Sequence, residues 1–223
     1  MKPLFPFGRA AVAAAAVLLS GCVIVPPLLI GGAVVGGGMV ATDRRTAGIQ
    51  LEDQGIEFRA AARVRELATL GQISVNSYNR VALLTGEVPS ATERARVEEA
   101  VSKVENVRGV VNELVVAGNS SLSSRSADTV LAAKVKATLV DAQDLSSNAF
   151  RVVVERRVVF LLGRVTPREA ERGAELASRV SGVERVVKVF ETITEAQLAA
   201  ETAPMRTGTQ APAPVRPASA PGR

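Results

Sequence analysis

The 223-residue chain lacks several residue types on which enzymes most often depend. It has no histidine, no tryptophan and one cysteine, Cys22, and aromatic residues make up only 3% of it. A chain without histidine has no Ser-His-Asp or Cys-His nucleophilic site and no His/Cys zinc site, and one cysteine forms no internal disulfide. A carboxylate- or lysine-based enzyme stays an alternative, but the Glu residues are scattered over predicted helix faces and do not converge. The composition therefore favours a protein without catalytic activity, cofactor or metal.

The chain also has little net charge in the part that would fold. Lys and Arg number 27 and Asp and Glu 22, which gives +5 overall. The excess lies at the two ends, with Lys2 and Arg9 near the start and three arginines but no acid in residues 203–223. Residues 22–202 therefore carry equal numbers of the two signs. Because nucleic-acid-binding domains concentrate positive charge on their folded surface, this balance argues against DNA or RNA as a partner.

The N-terminus has the pattern of a secretory signal. Lys2 and Arg9 precede an uninterrupted apolar stretch, residues 10–19. Residues 19–22, Leu-Ser-Gly-Cys, resemble the lipobox of bacterial lipoproteins. The resemblance implies that the signal peptide, residues 1–21, is cleaved between Gly21 and Cys22, and that Cys22 carries fatty acyl chains such as palmitate. Because Val23 and not Asp follows the cysteine, the lipoprotein class implies the outer membrane as the destination.

The stretch after the cysteine, residues 23–42, contains no charged side chain. A transmembrane span is one interpretation, but Pro26, Pro27 and five glycines interrupt the stretch. Proline and glycine also occur in membrane helices, so this alternative stays open. We favour an apolar, Gly/Pro-rich tether over residues 22–45, or a short segment that lies against the membrane.

Two parts of the remaining chain resemble each other. Three pairs of segments align: residues 80–88 with 157–165, 101–111 with 177–187, and 62–64 with 133–135. Two copies of a unit of about 70 residues explain this similarity, and the copies are too long and too few for a solenoid. We expect two independently folded domains, over about residues 46–117 and 122–194.

Each copy predicts the order helix, strand, strand, helix, strand. In the first copy the elements are a helix with Ile56, Ala60, Val64 and Leu67 on its apolar side, strands at 73–77 and 81–88, a helix opened by Ser90 and Glu93, and a strand at 107–116. In the second copy they are a helix from about 128, strands near 149–155 and 158–165, a helix from Pro167, and a strand at 183–193. The predicted fold class is α+β, with the helices on one face of each sheet.

This order and two short motifs resemble the BON domain. A glycine stands two residues before a valine in the second strand of each copy, at Gly86 and Gly163, and Val-x-x-Val-Val opens the third strand. Together with the lipobox and the Thr-Asp-Arg-Arg segment at 42–45, the pattern resembles the bacterial dual-BON lipoproteins of the DolP-like group, to which OsmY is related. The implied domain map is a signal peptide at 1–21, a lipidated tether at 22–45, BON domains at 46–117 and 118–202, and a disordered tail at 203–223, whose five prolines and three arginines fit no packed core.

The resemblance implies a function at the membrane. BON domains are regarded as lipid-associating modules, and in dual-BON lipoproteins the first helix of the second domain contacts anionic phospholipid. Here that helix would carry Val130, Lys134, Lys136 and Ala137 as contact candidates, because apolar side chains can insert while lysines meet phosphate. The alternative is that Val130 is half-buried and Lys134 is merely solvated. The family's aromatic residue at the start of this helix is replaced by Val130, so anchoring by a ring is absent there.

Other charged and small residues have simpler interpretations. Arg44 and Arg45 either meet lipid headgroups near the anchor or lie in a solvated linker. The two glycines of the repeat, at 86 and 163, mark a bulge or a turn where a side chain would clash. The acids at 141 and 144 lack the further ligand spacing of a calcium site.

The leading hypothesis is a non-enzymatic, phospholipid-binding lipoprotein on the periplasmic face of the outer membrane that supports envelope integrity. The alternative is a periplasmic adaptor that binds another envelope protein, with lipid contact incidental. Binding of the soluble part to anionic vesicles without the anchor separates the two.

The lipobox resemblance gives a direct test. We expect Cys22→Ser to leave the signal peptide uncleaved or to abolish outer-membrane fractionation, because the thiol is the group that accepts the lipid. Processing is read from the mass of the protein and location from membrane fractionation, with Ser20→Ala as a control that keeps a small residue. Unchanged processing and location in the Cys22→Ser form would contradict the assignment.

Overall fold

The computed structural model describes residues 43–67 and 70–202. The helices and strands follow in the order α1 (Ala47–Glu66), β1 (Gln72–Tyr78), β2 (Val81–Val88), α2 (Ala91–Ser102), β3 (Gly109–Asn112), β4 (Val115–Val116), α3 (Leu122–Asp141), β5 (Phe150–Glu155), β6 (Val158–Val165), α4 (Pro167–Ser178), β7 (Arg185–Thr192) and α5 (Glu195–Thr202). A single turn of 3₁₀ helix, Ser147–Ala149, precedes β5. The predicted order of helix, strand, strand, helix, strand is present in both copies, and the α+β class is confirmed.

The strands form two separate sheets with the same topology. In the first, β1 pairs with β2 antiparallel, and β3 and β4 pair with β2 parallel. In the second, β5 pairs with β6 antiparallel, and β7 pairs with β6 parallel along its whole length. Each sheet therefore has a central strand, β2 or β6, between an antiparallel and a parallel neighbour.

Each domain has its own apolar core between its helices and one face of its sheet. The first core includes Val64 of α1, Leu84 of β2 and Val97 of α2, all buried. In the second core, Val135 of α3 and Leu161 of β6 occupy comparable places. The prediction of helices on one face of each sheet is confirmed.

The other faces of the two sheets pack against each other. Tyr78, Leu83, Phe160 and Leu162 form a third buried cluster that draws on both domains, with five valines around it. The molecule is thus a stack of four layers: helices, sheet, sheet, helices. The sequence predicted two domains but not this interface between them.

A buried aspartate in the first helix of each domain holds the first hairpin. Asp53 accepts hydrogen bonds from the backbone N–H groups of Asn79 (2.8 Å) and Arg80 (2.7 Å) and from the hydroxyl of Ser77 (2.7 Å). Both turn residues have positive φ, 49° and 66°, as a two-residue type I′ turn requires. Such turns favour Asn and Gly. The carboxylate therefore stabilises a positive-φ conformation that is unfavourable for Arg80.

The second domain repeats this arrangement. Asp128 accepts from the backbone N–H groups of Arg156 (2.9 Å) and Arg157 (3.0 Å), whose φ values are 51° and 61°. The two aspartates are 75 residues apart, as are the helix N-caps Thr46 and Ser121. The predicted alignment of residues 62–64 with 133–135 is therefore wrong by four residues, about one helical turn. Alanine-rich helices match almost equally well when shifted by a turn.

Several element boundaries differ from the predictions. Helix α3 begins at Leu122, capped by the side chain of Ser121, and not near 128. The third strand of the first domain is split at 113–114, because the side chain of Asn112 accepts from the N–H of Leu114 (3.1 Å) and Leu114 turns into the core. Helix α5 was not predicted.

The two repeat glycines have structural reasons. A Cβ at Gly86 would lie 2.0 Å from the carbonyl oxygen of Gln72, and its φ is +112°. A Cβ at Gly163 would lie 2.4 Å from the carbonyl oxygen of Ala149. The predicted clash of a side chain is confirmed at both positions, but both glycines lie within the regular pairing of β2 and β6 and not at a bulge or a turn.

The predictions for the two ends of the chain concern residues that the structure does not describe. These are the signal peptide and the cleavage site at Gly21 and Cys22, the apolar segment 23–42 and the tail 203–223. Among the helices that the structure describes, none has the length and apolar character needed to cross a membrane.

The Asp53 hairpin lock predicts a pH-dependent stability. Burial raises the pKa of Asp53, but the hydrogen bonds from the backbone of Arg80, from Ser77 and from Arg45 outweigh it, and the net pKa is lowered from its ordinary 3.8. We expect Asp53→Asn to reduce the free energy of unfolding of fragment 43–202 by about 2–4 kcal/mol at neutral pH. A lowered pKa stabilises the fold above the ordinary value and ceases to do so as the pH falls, so the difference should shrink below about pH 3.8.

Urea unfolding at several pH values measures this difference. Asp141→Asn is the matched control, because Asp141 is exposed on α3, and it should change stability by less than about 0.5 kcal/mol. Equal stability of Asp53→Asn and the control at neutral pH would show that the carboxylate does not hold the hairpin.

Candidate functional site

Helix α3 presents the predicted contact residues on its solvent side. Leu131, Val135 and Leu139 lie in the core, as the sequence predicts. Val130 is 56% exposed, and Lys134, Lys136 and Ala137 are also exposed. The alternative of a half-buried Val130 is therefore wrong, although lipid contact itself stays a prediction.

The exposed side of α3 is more apolar than the four predicted residues suggest. Val130, Ala133, Ala137 and Val140 follow one another at helical spacing, and Leu122 extends the row toward the N-terminus. Leu122 is 74% exposed and Val140 58% exposed. We call these five residues the α3 stripe. The sequence did not point to Leu122 because the helix was predicted to begin later. Ala133 and Val140 were missed because the prediction considered only the flank of the helix with Val130 and Lys134.

Basic residues border the α3 stripe on both sides. At 100° per residue, Lys134 and Lys136 lie on opposite edges of the stripe. The single acid of α3 before Asp141 is Asp128, which is buried under the helix. The surface thus combines exposed apolar side chains with two flexible cations and without an exposed carboxylate until its C-terminal end.

Lys136 also faces the junction between the domains. With Asp43, Arg45 and Tyr78 it lines a cavity of about 330 Å³ that β5 closes on one side. Val130 and Ala137 lie within the stripe and Lys134 at one edge of it. Lys136 lies at the other edge, next to the junction between the domains.

The segment before α1 is not a solvated linker. Arg44 forms a bidentate ion pair with Glu169 (2.7 Å to each oxygen) and donates to the carbonyl oxygen of Arg164 (3.0 Å). The side chains of Arg44 and Glu169 are 13% and 4% exposed. The segment preceding the first domain is thereby fastened to the second domain.

Arg45 is fastened in the same way to the first domain. Its guanidinium pairs with Asp43 (2.7 Å) and with Asp53 (2.7 Å), and it lies 4.1 Å from the centre of the Tyr78 ring. Neither expectation for Arg44 and Arg45, headgroup contact or a solvated linker, is correct. Residues 43–45 therefore belong to the folded unit, whereas the sequence assigned them to the tether.

Further polar contacts surround the sheet–sheet interface. Arg151 donates to Glu57 (2.7 Å) and to Asn76 (3.0 Å), Arg156 pairs with Glu87 (3.2 Å), and Arg185 pairs with Glu113 (3.1 Å). The Arg151–Glu57 and Arg185–Glu113 pairs are partly exposed, so each contributes about 0–1 kcal/mol, whereas Glu87 is buried.

The described residues offer little for catalysis. Within 43–67 and 70–202 no group of three side chains is placed to hold a metal ion. The acids nearest to one another at the domain junction serve as hydrogen-bond acceptors for arginines and hairpin turns.

Comparison with known proteins identifies the fold. The sequence profile of the BON domain matches residues 53–118 and 127–194, which are the two halves described above. The chain belongs to the BON-domain family. The BON resemblance predicted from the sequence is confirmed for both copies, and the α3 stripe lies on the first helix of the second BON domain.

Individual relatives support the same assignment. The outer membrane lipoprotein DolP of Haemophilus influenzae is 36% identical over 154 residues, 68% of this chain and 80% of that protein. The 21 kDa hemolysin of Actinobacillus pleuropneumoniae is 29% identical over 151 residues, 66% and 78% of the two chains. The C-terminal domain of CdsD, a structural protein of the type III secretion system of Chlamydia trachomatis, aligns at 9% identity with a TM-score of 0.27, over 61% of this chain and 96% of that domain. At that TM-score the alignment has no bearing on the fold.

The Arg44–Glu169 pair predicts coupling between the first segment and the second BON domain. The pKa of Glu169 is lowered chiefly by its hydrogen bonds with Arg44, so the carboxylate is charged and depends on that partner. We expect Arg44→Ala to reduce the free energy of unfolding of fragment 43–202 by about 2–4 kcal/mol, because it leaves Glu169 buried without its cation.

The measurement is urea unfolding, with Arg44→Lys as the matched control. Lysine keeps the charge but not the bidentate geometry, so an intermediate loss is expected. Equal stability of Arg44→Ala and the parent would show that the ion pair does not contribute to the free energy of unfolding.

Proposed function

We propose that the protein is a non-enzymatic lipoprotein, anchored through Cys22 on the periplasmic face of the outer membrane, which supports envelope integrity by binding phospholipid. The lipobox-like sequence and the similarity to DolP, which is described as an outer membrane lipoprotein, support the anchorage. The two BON domains support a binding role and offer no evident catalytic site.

The observation that carries lipid binding is the α3 stripe with its two lysines. Leu122, Val130 and Val140 are more than half exposed, which is costly in water and favourable at the boundary between headgroups and acyl chains. Each lysine close to an anionic surface contributes about 1 kcal/mol. Helix α3 is 20 residues long, and if it lies flat on the membrane the whole stripe enters that boundary.

Long-range attraction does not drive this binding. Residues 22–202 are neutral overall, and salt screens surface charges beyond about 8 Å at physiological ionic strength. Binding has to come from local contacts, in which apolar insertion and headgroup pairing occur together. A preference for anionic over zwitterionic lipid follows from Lys134 and Lys136.

A second candidate function, binding of an envelope protein, is favoured by a different surface. Leu70, Val115 and Val116 are exposed beside a groove at the end of the first sheet, and β4 there is only two residues long. An apolar groove beside a short strand suits a protein segment better than a bilayer. If this is the function, fragment 43–202 should bind neither anionic nor zwitterionic vesicles.

The lipid hypothesis predicts a loss of binding from two substitutions on α3. We expect Val130→Asp with Lys134→Glu to weaken binding of fragment 43–202 to phosphatidylglycerol-containing vesicles by about tenfold or more, because insertion and headgroup pairing are both removed. Flotation with vesicles measures binding, and circular dichroism should show an unchanged fold, since both side chains are exposed.

The control changes net charge equally at another place. Ala95→Asp with Lys103→Glu alters exposed positions on and just after α2 of the first domain. The fragment begins at 43 because Arg44 and Arg45 belong to the fold. Equal binding by the α3 variant and the parent would place the lipid site elsewhere, and equal loss in the control would mean that net charge alone governs binding.

A further inference from the structure

The first BON domain exposes two large apolar side chains on its own first helix. Leu51 is 70% exposed and Phe58 73% exposed, and they lie seven residues apart on α1. Of the aromatic side chains that the structure describes, Phe58 is the one on the surface, whereas the other rings are buried or partly buried. In a chain with 3% aromatic residues, an exposed ring on a regular helix calls for an explanation.

Around Leu51 and Phe58 this side of α1 carries no carboxylate, and Glu66 lies at its edge at the end of the helix. At helical spacing, Gln54, Gly55, Ala62 and Arg65 share the side of Leu51 and Phe58; we call this surface the α1 face.

Three of the four acids of α1 are engaged away from that side. Asp53 is buried under the hairpin. Glu57 accepts from Ser77 (2.8 Å) and Arg151 (2.7 Å), and Glu52 accepts from Arg59 (2.9 Å). Glu66 pairs with Arg63 at the end of the helix.

The two domains place different side chains at equivalent positions of this surface. With the aspartates of the hairpin locks as reference, Phe58 corresponds to Ala133 of the α3 stripe, and Arg59 corresponds to Lys134. The α1 face thus presents a leucine and a phenylalanine where α3 presents serine and alanine. It has the larger side chains for insertion at these positions, but Arg59 is paired with Glu52 and also donates to the carbonyl oxygen of Glu105 (3.2 Å).

The position of the tether indicates what covers the α1 face. Residues 23–42 carry no charge and lead directly into Asp43, and α1 begins four residues later. Leu51 lies about 6 Å along the axis from the start of α1, at a rise of about 1.5 Å per residue. A lipid anchor at Cys22 would hold this end of the helix close to the bilayer, where even a weak interfacial contact is favoured by the high local concentration.

We propose that Leu51 and Phe58 form a second membrane-contacting face, which inserts into the headgroup boundary when the anchored protein lies with its first domain against the bilayer. The exposed Arg65 then lies at the level of the headgroups. Helices α1 and α3 cover opposite outer layers of the four-layer stack, and both faces point away from their own sheets. The two faces therefore correspond to two alternative orientations of the protein on the membrane. The proposal rests on the proposed membrane anchorage but not on lipid contact by α3.

The absence of tryptophan from the chain provides a direct test. The full chain is reconstituted in vesicles of phosphatidylethanolamine and phosphatidylglycerol with brominated acyl chains, which quench tryptophan fluorescence on contact. Three variants are compared, each with one tryptophan: Phe58→Trp on the α1 face, Val130→Trp on the α3 stripe, and Val115→Trp at an exposed apolar position of the first domain away from α1.

We expect the Phe58→Trp variant to be quenched clearly more than the Val115→Trp variant and to emit at shorter wavelength. Adding Leu51→Asp to the Phe58→Trp variant should reverse both effects, since the two side chains insert together. Quenching no greater than that of Val115→Trp would overturn the proposal. Emission at short wavelength without quenching would also overturn it, because a second copy or another part of the chain would then cover the face. The Val130→Trp variant measures lipid contact by α3 separately, so the proposals for α1 and α3 can be rejected independently of each other.

Discussion

The packing of the two sheets against each other is the constraint on which the rest of the structure depends. Adjacent residues Leu83 and Leu84 of β2 are both fully buried, one in the interface between the domains and the other in the core of the first domain. Leu161 and Leu162 of β6 repeat this arrangement. Burial of a large apolar side chain contributes about 1.5–3 kcal/mol, against about 0–1 for a partly exposed ion pair, so the apolar interface and not its polar rim holds the domains together. The first halves of the two central strands, residues 81–84 and 158–162, are therefore apolar without alternation, as strands covered on both faces are.

The segment Asp43–Arg45 fastens this interface at the edge where the tether arrives. Burial and the nearby Asp43 raise the pKa of Tyr78 to about 12, so the ring stays neutral beneath the guanidinium of Arg45. Arg45 reaches the buried Asp53, and Arg44 reaches Glu169 of the other domain. Residues 43–45 are thereby held against both domains.

The features that depend on neighbouring residues could be predicted from the sequence. The features that depend on contacts between distant residues could not. The bounds of β2 and β6, the start of α4 at Pro167 and the need for glycine at 86 and 163 follow from short-range apolar patterns, a favoured first helical residue and close backbone approach. Arg44 lies 125 residues from Glu169, and beside an apolar tether it resembles an ordinary linker residue. The sheet–sheet interface was missed because the unbroken apolar strands were assigned one buried face each. The four predicted residues of α3 are exposed, but the length of the stripe depended on the earlier start of the helix.

The sheet–sheet interface also decides where a membrane can act on this protein. A single BON domain has a helical face and an open sheet face, and either could meet a partner. Here each sheet has used its open face on the other domain, so the helices form the two broad outer surfaces. Exposed large apolar side chains occur on both of these layers, at Leu51 and Phe58 on α1 and at Leu122, Val130 and Val140 on α3. Since the interface keeps these two faces apart and directed away from each other, a flat bilayer meets one of them at a time. Under the two proposed membrane contacts, the choice between the faces depends on the length of the tether, on the lipid charge that favours Lys134 and Lys136, and on the ring of Phe58.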